Sequence, residues 1–446
     1  MASRTRFLEM IGRKLSLRFS IPSNLQRRAF LVAAAAFIGA TVVSVAPDAQ
    51  ARDRNDQRYW TGTWTASPQA PEPPAILPTP AQFDNQTIRQ IVHTSIGGNV
   101  VRVRLSNEYG DSPLVIGEVH VALQDSEANI VPRSDRALTF SGHSTITIPA
   151  GAPALSDPIA FEVPALGNLA ISVHLPNATP VQTFHSLGLQ TTYISGAGNF
   201  TGDINFPTAS TTTSWFFLSG VTVATSKEKA AIVAIGDSIT DGFASTVDAN
   251  RRWPNLLAER LQARRGPNHL AVLDQGISGN RTLHDFIGPN ALARFDRDVL
   301  NAPGVKYVIL LEGINNIGIP GAFGLSQEQV SADEIIAGHR QLIARAHEKR
   351  LKIFGCTLTP FEGTAFPGYF TAEGEAKRQA VNAWIRTSRE FDGVIDFDKA
   401  TRDPGHPTRL LADYDSGDHL HPNDAGYAAM AAAVDLSLFR GGGDDD

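Results

Sequence analysis

The chain has 446 residues but only one cysteine, Cys356. A single thiol excludes an intramolecular disulfide and any zinc site that needs two cysteine ligands. Charged residues make up only 19%, and 45 aspartates and glutamates outnumber 39 lysines and arginines. The formal charge of -6 argues against nucleic acid as the main partner. Hydrophobic residues reach 42%, enough to bury a large core, which argues against a disordered or fibrous chain.

Residues 1–51 have the composition of a secretory signal peptide. They hold seven basic and two acidic residues, and the segment 29–47 is almost uncharged. Arg27-Arg28-Ala29-Phe30-Leu31 resembles the core of a bacterial twin-arginine signal, and Ala49-Gln50-Ala51 offers a small-x-small cleavage site. An uncleaved membrane anchor is the alternative, because the apolar run approaches the length of a spanning helix.

Cleavage after residue 51 would remove a net charge of +5 and change the formal charge from -6 to -11. The twin-arginine resemblance implies export of a folded protein to the periplasm or the medium, and a protein exported in the folded state has less need of disulfides. No later stretch is long and apolar enough to span a bilayer, so we expect no stable membrane insertion after cleavage.

Between residues 59 and 225 the sequence has the pattern of antiparallel β structure. Apolar and polar residues alternate at 101–105, 118–122 and 170–175, and Gly, Pro, Asn and Asp clusters separate such runs. This pattern predicts a β-sandwich. Several prolines within 67–82 predict an extended loop there.

After residue 229 the periodicity changes to that of an α/β fold. The predicted strands are 230–235, 270–273, 305–311, 352–358 and 393–397. The predicted helices are 253–264, 326–350, 372–390 and 423–438. This alternation predicts a parallel sheet flanked by helices. Cys356 falls in a strand and is interpreted as a core residue rather than a nucleophile.

The resulting division of the chain has four parts. They are a signal peptide at 1–51, a β-sandwich domain at 52–225, a catalytic α/β domain at 226–440 and a disordered tail at 441–446.

Four short polar motifs occur where a parallel sheet collects its reactive groups, at the carboxyl ends of the strands or before the last helix. They are Gly236-Asp237-Ser238, Gly276-Ile277-Ser278-Gly279-Asn280, Glu312-Gly313-Ile314-Asn315-Asn316 and Asp418-His419-Leu420-His421-Pro422. The first is weak evidence by itself, because Gly110-Asp111-Ser112 repeats the triplet in the β-rich region with no helix after it.

In this order the four motifs resemble the sequence blocks of the SGNH, or GDSL, hydrolase family over about 226–440. The β-rich region also resembles the leading domain of some secreted bacterial and fungal members. That second resemblance rests on Trp60-Thr61-Gly62-Thr63-Trp64, Gln90-Ile91-Val92-His93-Thr94 and Arg104-Leu105-Ser106-Asn107. Together they imply an SGNH-type, flavodoxin-like parallel sheet preceded by an antiparallel β-sandwich.

The resemblance also implies a serine esterase without metal or cofactor. Ser238 would be the nucleophile, His421 its base, and Asp418 the group that orients the histidine. The oxyanion hole would consist of the backbone N–H groups of Ser238 and Gly279 and the side-chain amide of Asn315.

The chain departs from the family at one position, where Asn316 stands in place of the usual aspartate. We interpret Asn316 as a support for the Asn315 loop. Asp237 has two interpretations, as a structural residue of the turn or as a group that acts in catalysis.

Two further groups have alternative interpretations. Asp415, Asp418, His419 and His421 could be a metal cluster, although the sequence offers no second ligand group. The aromatic residues of one loop line the acyl pocket, form a lid or simply pack; they are Phe361, Phe366, Tyr369 and Phe370.

The sequence therefore predicts an exported serine esterase that forms an acyl-enzyme. Short acyl groups, such as acetyl esters on carbohydrates, are the favoured substrates, and an acylated polysaccharide is the candidate partner. A lipase or arylesterase of broader range is the alternative. A non-catalytic carbohydrate-binding protein is the rival from another class, and the presence of all the catalytic residue types argues against it.

Overall fold

The computed structural model describes residues 59–72, 82–225, 229–264 and 270–439. The predicted signal peptide, most of the proline-rich loop, the boundary at 226 and the tail at 441–446 lie outside the described residues.

The described part of 59–225, here called the β-rich region, contains seventeen strands. In chain order they are β1 (Tyr59–Thr65), β2 (Gln82–Phe83), β3 (Gln86–His93), β4 (Gly98–Ser106), β5 (Leu114–Ile116), β6 (Glu118–Leu123), β7 (Arg136–Ala137), β8 (Ile146–Ile148), β9 (Pro153–Leu155), β10 (Ile159–Val163), β11 (Asn168–Leu175), β12 (Thr179–Pro180), β13 (Phe184–His185), β14 (Thr192–Ala197), β15 (Thr208–Thr212), β16 (Trp215–Phe216) and β17 (Leu218–Thr225).

Two antiparallel sheets dominate the β-rich region. One has the order β1-β17-β4-β10, with β9 also paired to β4, and the other has the order β15-β14-β3-β11-β6-β7. Strand β4 shows why they form, because Val101, Val103 and Leu105 point into the core while the two intervening arginines are half-buried. The predicted antiparallel β structure is confirmed.

Residues 229–439, here called the α/β region, contain five strands and eight α-helices in their described part. In chain order these are β18 (Ala231–Gly236), α1 (Ser238–Asp241), α2 (Trp253–Gln262), β19 (Ala271–Gly276), α3 (Ala291–Phe295), β20 (Val305–Leu311), α4 (Ile314–Ala322), α5 (Ala332–Glu348), β21 (Lys352–Cys356), α6 (Ala372–Thr387), β22 (Gly393–Ile395), α7 (Phe397–Thr401) and α8 (Asp424–Ala433).

All five strands are parallel and lie in the order β19-β18-β20-β21-β22. This is the 2-1-3-4-5 order of flavodoxin-like sheets. The predicted fold class is therefore confirmed, and each strand lies within a few residues of its predicted position.

The helices differ more from prediction. The predicted helix at 326–350 is interrupted, because Ser331 and Glu334 form a capping box that starts α5 at Ala332. Helix α4 was not predicted, since its glycines and Pro320 are poor helix formers and tertiary packing has to stabilise it. None of the helices in the described ranges is long and apolar enough to cross a membrane.

The edge strand β19 is covered by the β-rich region. The Ser95 hydroxyl accepts a hydrogen bond from Val272 N at 3.2 Å, and the Thr65 hydroxyl donates to Asp274 O at 2.9 Å. One hydrophobic core includes residues of both regions, and both belong to the same compact unit. The exact domain boundary stays a prediction.

Candidate active site

Ser238 lies in the turn between β18 and α1. Asp237 precedes it, and its Oδ1 accepts a hydrogen bond from Ile239 N at 2.9 Å, which caps the helix. A Cβ atom at Gly236 would lie 2.6 Å from Leu311 O, so only glycine fits at the end of the strand. The turn therefore holds Ser238 at the carboxyl edge of the sheet, and Asp237 has a structural function there.

His421 and Asp418 form a continuous line of hydrogen bonds with Ser238. Ser238 Oγ lies 2.8 Å from His421 Nε2, and His421 Nδ1 lies 2.6 Å from Asp418 Oδ2. A carboxylate can only accept, so Nδ1 carries the proton and Nε2 accepts from the serine hydroxyl. Asp418 Oδ1 also accepts from the backbone N–H groups of Leu420 and His421, which closes the tight turn between the two residues.

The electrostatics keep Asp418 ionised. Burial alone would raise the pKa of Asp418, but the hydrogen bond and charge of His421, with the backbone hydrogen bonds, hold that pKa well below its usual range. The ring of Phe243 lies 4.2 Å from that of His421, centroid to centroid, and covers one side of it. The ionised carboxylate can therefore orient His421 and stabilise its protonated form.

Asn315, in the first turn of α4, and Gly279, in the loop after β19, lie near the same edge. The Asn315 side chain donates from Nδ2 to Asn280 O at 2.9 Å and accepts at Oδ1 from the Tyr369 hydroxyl at 2.7 Å. Gly279 has φ +82°, and a Cβ there would lie 2.6 Å from Ile287 Cδ1. These contacts leave one amide hydrogen of Asn315 for another acceptor. The assignment of both residues to an oxyanion hole stays a prediction.

Asn316 connects the start of α4 to the loop after β19. Its Oδ1 accepts from Thr282 N at 2.7 Å, and its side chain is buried. The contact therefore holds the first turn of α4, which contains Asn315, against the loop after β19.

Sequence analysis missed Arg294, which is buried beneath these loops. Its guanidinium donates to Gly236 O at 2.9 Å and to Gln275 O at 2.6 Å, at the ends of β18 and β19. It also forms ion pairs with Asp298 at 3.1 Å and Glu312 at 3.5 Å. Burial and then the charge of Asp237 raise the pKa of Glu312 well above its usual range, while Arg294 opposes the shift. No sequence signal distinguishes this arginine from its neighbours.

Asp241 and His185 were also missed. The two side chains are buried and lie 2.9 Å apart, from Asp241 Oδ1 to His185 Nε2. Asp241 follows Ser238, the last residue of the first motif, by only three residues, which was an available signal. His185 belongs to the β-rich region and offered none.

The residues with alternative interpretations differ in exposure. Phe361 and Tyr369 are buried, whereas Phe366 is 41% exposed and its ring lies edge-on to His421 at 6.4 Å. Cys356 is buried in β21, as expected of a core residue. His419 is exposed and bonded to Asp415. Within the described ranges, no group of three or more His, Cys, Asp or Glu side chains could hold a metal ion.

Comparison with known proteins identifies the α/β region. Residues 234–429 match the GDSL-like lipase/acylhydrolase family. No curated protein matches the chain.

Several solved structures are similar to this region. A GDSL-like lipase from Bacteroides thetaiotaomicron has 19% identity and a TM-score of 0.36, covering 48% of this chain and 89% of its own. The M. smegmatis aryl esterase has 16% identity and a TM-score of 0.37, and the match covers 46% of this chain and 95% of the esterase. A carbohydrate acetylesterase from Sinorhizobium meliloti has 16% identity and a TM-score of 0.36, covering 46% and 96%. From the family match, the segment 234–429 belongs to the GDSL-like lipase/acylhydrolase family, and the chain is a carboxylic ester hydrolase.

Proposed function

We propose that the protein is an exported serine esterase that releases short acyl groups through an acyl-enzyme on Ser238. The observation that carries this proposal is the line of hydrogen bonds from Ser238 through His421 to Asp418. A free hydroxyl is a weak nucleophile, and an adjacent oriented base is what activates it.

In the proposed mechanism His421 Nε2 takes the hydroxyl proton while Ser238 Oγ attacks the ester carbonyl carbon. The carbonyl oxygen becomes negative and accepts hydrogen bonds from Ser238 N, Gly279 N and Asn315 Nδ2. The bond to the alcohol then breaks, and the alcohol leaves with the proton from His421. Water repeats the cycle on the acyl-enzyme, which releases the acid and restores Ser238.

The limited access to the reacting groups supports a small acyl group. The exposed fractions are 6% for Ser238, 5% for His421 and 4% for Asn315. Ile287 also packs against Gly279, beside the place where the oxyanion would form. We propose that this low exposure of the reacting groups favours acetyl over long acyl chains.

Acetylated carbohydrates are the substrates that we place first. Export would bring the enzyme to extracellular polymers, and two polar side chains, Ser416 and His419, are exposed in the turn that carries His421. We therefore propose an acylated polysaccharide as partner.

The nucleophile is tested with p-nitrophenyl acetate. Ser238→Ala should lower the rate by several orders of magnitude while the circular dichroism spectrum stays unchanged. Ser112→Ala is the matched control, because it alters the exposed serine of the other Gly-Asp-Ser sequence. A Ser238→Ala protein that hydrolyses at the wild-type rate would exclude Ser238 as nucleophile.

An arylesterase or lipase is the second candidate, and two exposed aromatic rings favour it. Phe366 faces His421, and Phe323 is 52% exposed and packs against Phe286 at 4.9 Å between ring centroids. Such rings could bind an aromatic or long apolar group.

A chain-length series from acetate to palmitate separates the candidates. We expect rates to fall with acyl length, and acetate to be released from acetylated glycans, as measured by mass spectrometry. Rates that rise with length, together with their loss in Phe366→Ala, would instead indicate a lipase.

Export is tested by determining the amino-terminal residue of the protein recovered from the periplasm or the medium. The proposal expects a mature chain that starts at Arg52. A full-length chain retained in the membrane fraction would support the anchor.

A further inference from the structure

The β-rich region reaches the catalytic helix α1 through one buried histidine. His185, on β13, is 3% exposed. Its Nδ1 lies 2.9 Å from Ser67 O, and its Nε2 lies 2.9 Å from Asp241 Oδ1. Both partners are acceptors, so both ring nitrogens must carry hydrogen and the ring is an imidazolium.

Asp241 transmits this contact to the second loop of the site. Its Oδ2 accepts from Ser278 N at 3.0 Å and from Ser278 Oγ at 2.8 Å. Ser278 immediately precedes Gly279, which has a φ of +82°. The Asp241 carboxylate therefore has three donors, one from the β-rich region and two from the loop.

A second residue of the β-rich region contacts the same end of β19. The Ser67 hydroxyl lies 2.6 Å from Gln275 Oε1 and 2.9 Å from Asp298 Oδ2. Its carbonyl is the acceptor for His185. The segment after β1 is thus built into the strand ends that carry the site.

We propose that His185 is a positioning residue, through which the β-rich region holds the Gly279 loop in place relative to Ser238. This inference rests on the proposed function, in which Gly279 N donates to the oxyanion. It gives the β-rich region a part in building the active site, in addition to any contact with substrate.

The expected kinetic effect is on kcat. Without a donor from His185, the Asp241 carboxylate can move and release Ser278, so the Gly279 N–H is displaced. A misplacement of about 1 Å can cost on the order of 100-fold in rate. The oxyanion exists only in the transition state, so KM should change little.

The charge of His185 adds a pH-dependent readout. Four ionisable side chains surround His185, namely Asp241, Asp274, His93 and Arg252. Burial lowers the pKa of His185, but the charge and hydrogen bond of Asp241 outweigh burial and raise it above its ordinary value of 6.5. The contact is therefore complete below that value and is lost as pH rises through the raised pKa.

The test compares two variants of the full chain, each of which keeps a different one of the two hydrogen bonds of His185. His185→Gln can place an amide N–H near the position of Nε2 and keep the bond to Asp241. His185→Asn can replace only Nδ1 and its bond to Ser67 O. We expect His185→Asn to lower kcat about 10- to 100-fold and His185→Gln to retain most of it, with KM within about two-fold for both. The alkaline decrease in wild-type kcat should be absent from His185→Gln, which carries no titrating ring.

A control and a second variant guard against effects on folding. His120→Gln removes another buried, carboxylate-bound histidine of the β-rich region, and should lower stability without changing kcat. Ser278→Ala leaves His185 and Asp241 intact but removes one bond to the loop, so kcat should fall several-fold with the fold preserved.

The outcomes separate this inference from the proposed function. If Ser238→Ala is as active as wild type, the proposed site itself fails. If Ser238→Ala is inactive but His185→Asn and Ser278→Ala keep wild-type kcat, only the positioning role of His185 is overturned. If His185→Asn fails to fold, the positioning role of His185 is judged from the kcat of Ser278→Ala and from the pH profile of His185→Gln.

Discussion

At the scale of single residues, the candidate oxyanion hole depends on which polar atoms of Asn315 already have hydrogen-bond partners. The Asn315 oxygen accepts from Tyr369, and one of its amide hydrogens goes to Asn280 O. An amide can flip unless such contacts distinguish its oxygen from its nitrogen. Tyr369 therefore determines that an N–H of Asn315, rather than its oxygen, is available to the oxyanion.

Tyr369→Phe should lower kcat about 10- to 100-fold, since loss of one oriented oxyanion donor typically costs this much or more. KM should stay nearly constant, and hydrolysis of p-nitrophenyl acetate provides the measurement. Tyr307→Phe is the matched control, because it removes a buried hydroxyl that donates to Phe439 O on another part of the sheet. Equal kcat in the two variants would contradict this function of Tyr369.

Asp237 should make stability depend on pH. Burial raises the pKa of Asp237 to about 7, from an ordinary value of 3.8. Between these two values the folded protein holds a proton that the unfolded chain has released, so stability falls as pH rises across this window.

Asp237→Asn should reduce that decrease, because asparagine keeps the cap on α1 and does not titrate. Urea unfolding at several pH values from about 4.5 to 8 measures the difference from wild type. Asp111→Asn, in the exposed second Gly-Asp-Ser sequence, is the control. An unchanged slope in Asp237→Asn would show that other groups cause the pH dependence.

At the scale of elements, Arg294 joins the carboxyl ends of two strands. It binds the last carbonyl of β18 and a carbonyl near the end of β19, and it pairs with two buried carboxylates. The arrangement places α3 against the sheet directly beneath the candidate site. Only the contact with Asp298, four residues later, is local; the two strand carbonyls and Glu312 lie on other elements, which local sequence does not specify.

Arg294→Gln should destabilise the protein by about 3–5 kcal/mol, because it leaves the buried Glu312 without its cation and Asp298 with Arg297 alone. Arg345→Gln, which breaks a more exposed pair with Asp296, should cost less than about 1 kcal/mol. Chemical denaturation of both variants gives the comparison. Similar losses in the two would mean that the buried network contributes little.

At the scale of the whole molecule, the β-rich and α/β regions share one core across β1 and β19. A Cβ atom at Gly62 would lie 2.8 Å from Leu273 Cδ1, and Gly62 N donates to Pro303 O at 2.9 Å. Close packing of this kind couples the stability of the two regions.

Gly62→Ala should therefore destabilise both regions together, by about 1–3 kcal/mol for an overpacked core. Hydrogen exchange measured by mass spectrometry should show faster exchange in β17 and in β18 alike. Gly196→Ala is the control, since a Cβ there meets nothing within 4 Å. Faster exchange confined to the β-rich region would indicate two independently stable domains.

Much of the fold was accessible from sequence because its signals are local. The alternation in β4 and the five apolar runs of the parallel sheet predicted strands within a few residues of those observed. Helix α4 was not predicted because its glycines and its proline are poor helix formers, and its stability comes from packing. The strand order was predicted through the family resemblance rather than from periodicity.

The sequence by itself determined the α/β class, the antiparallel β structure before it, and the family to which residues 234–429 belong. These depend on periodicity and on short motifs, which are properties of neighbouring residues. Only the tertiary structure revealed the contacts of Arg294, Tyr369 and His185. Each of them binds a partner that is distant in the chain; His185 and Asp241, for example, are 56 residues apart. Such polar contacts are strong where burial lowers the local dielectric constant, and that burial exists only in the folded chain.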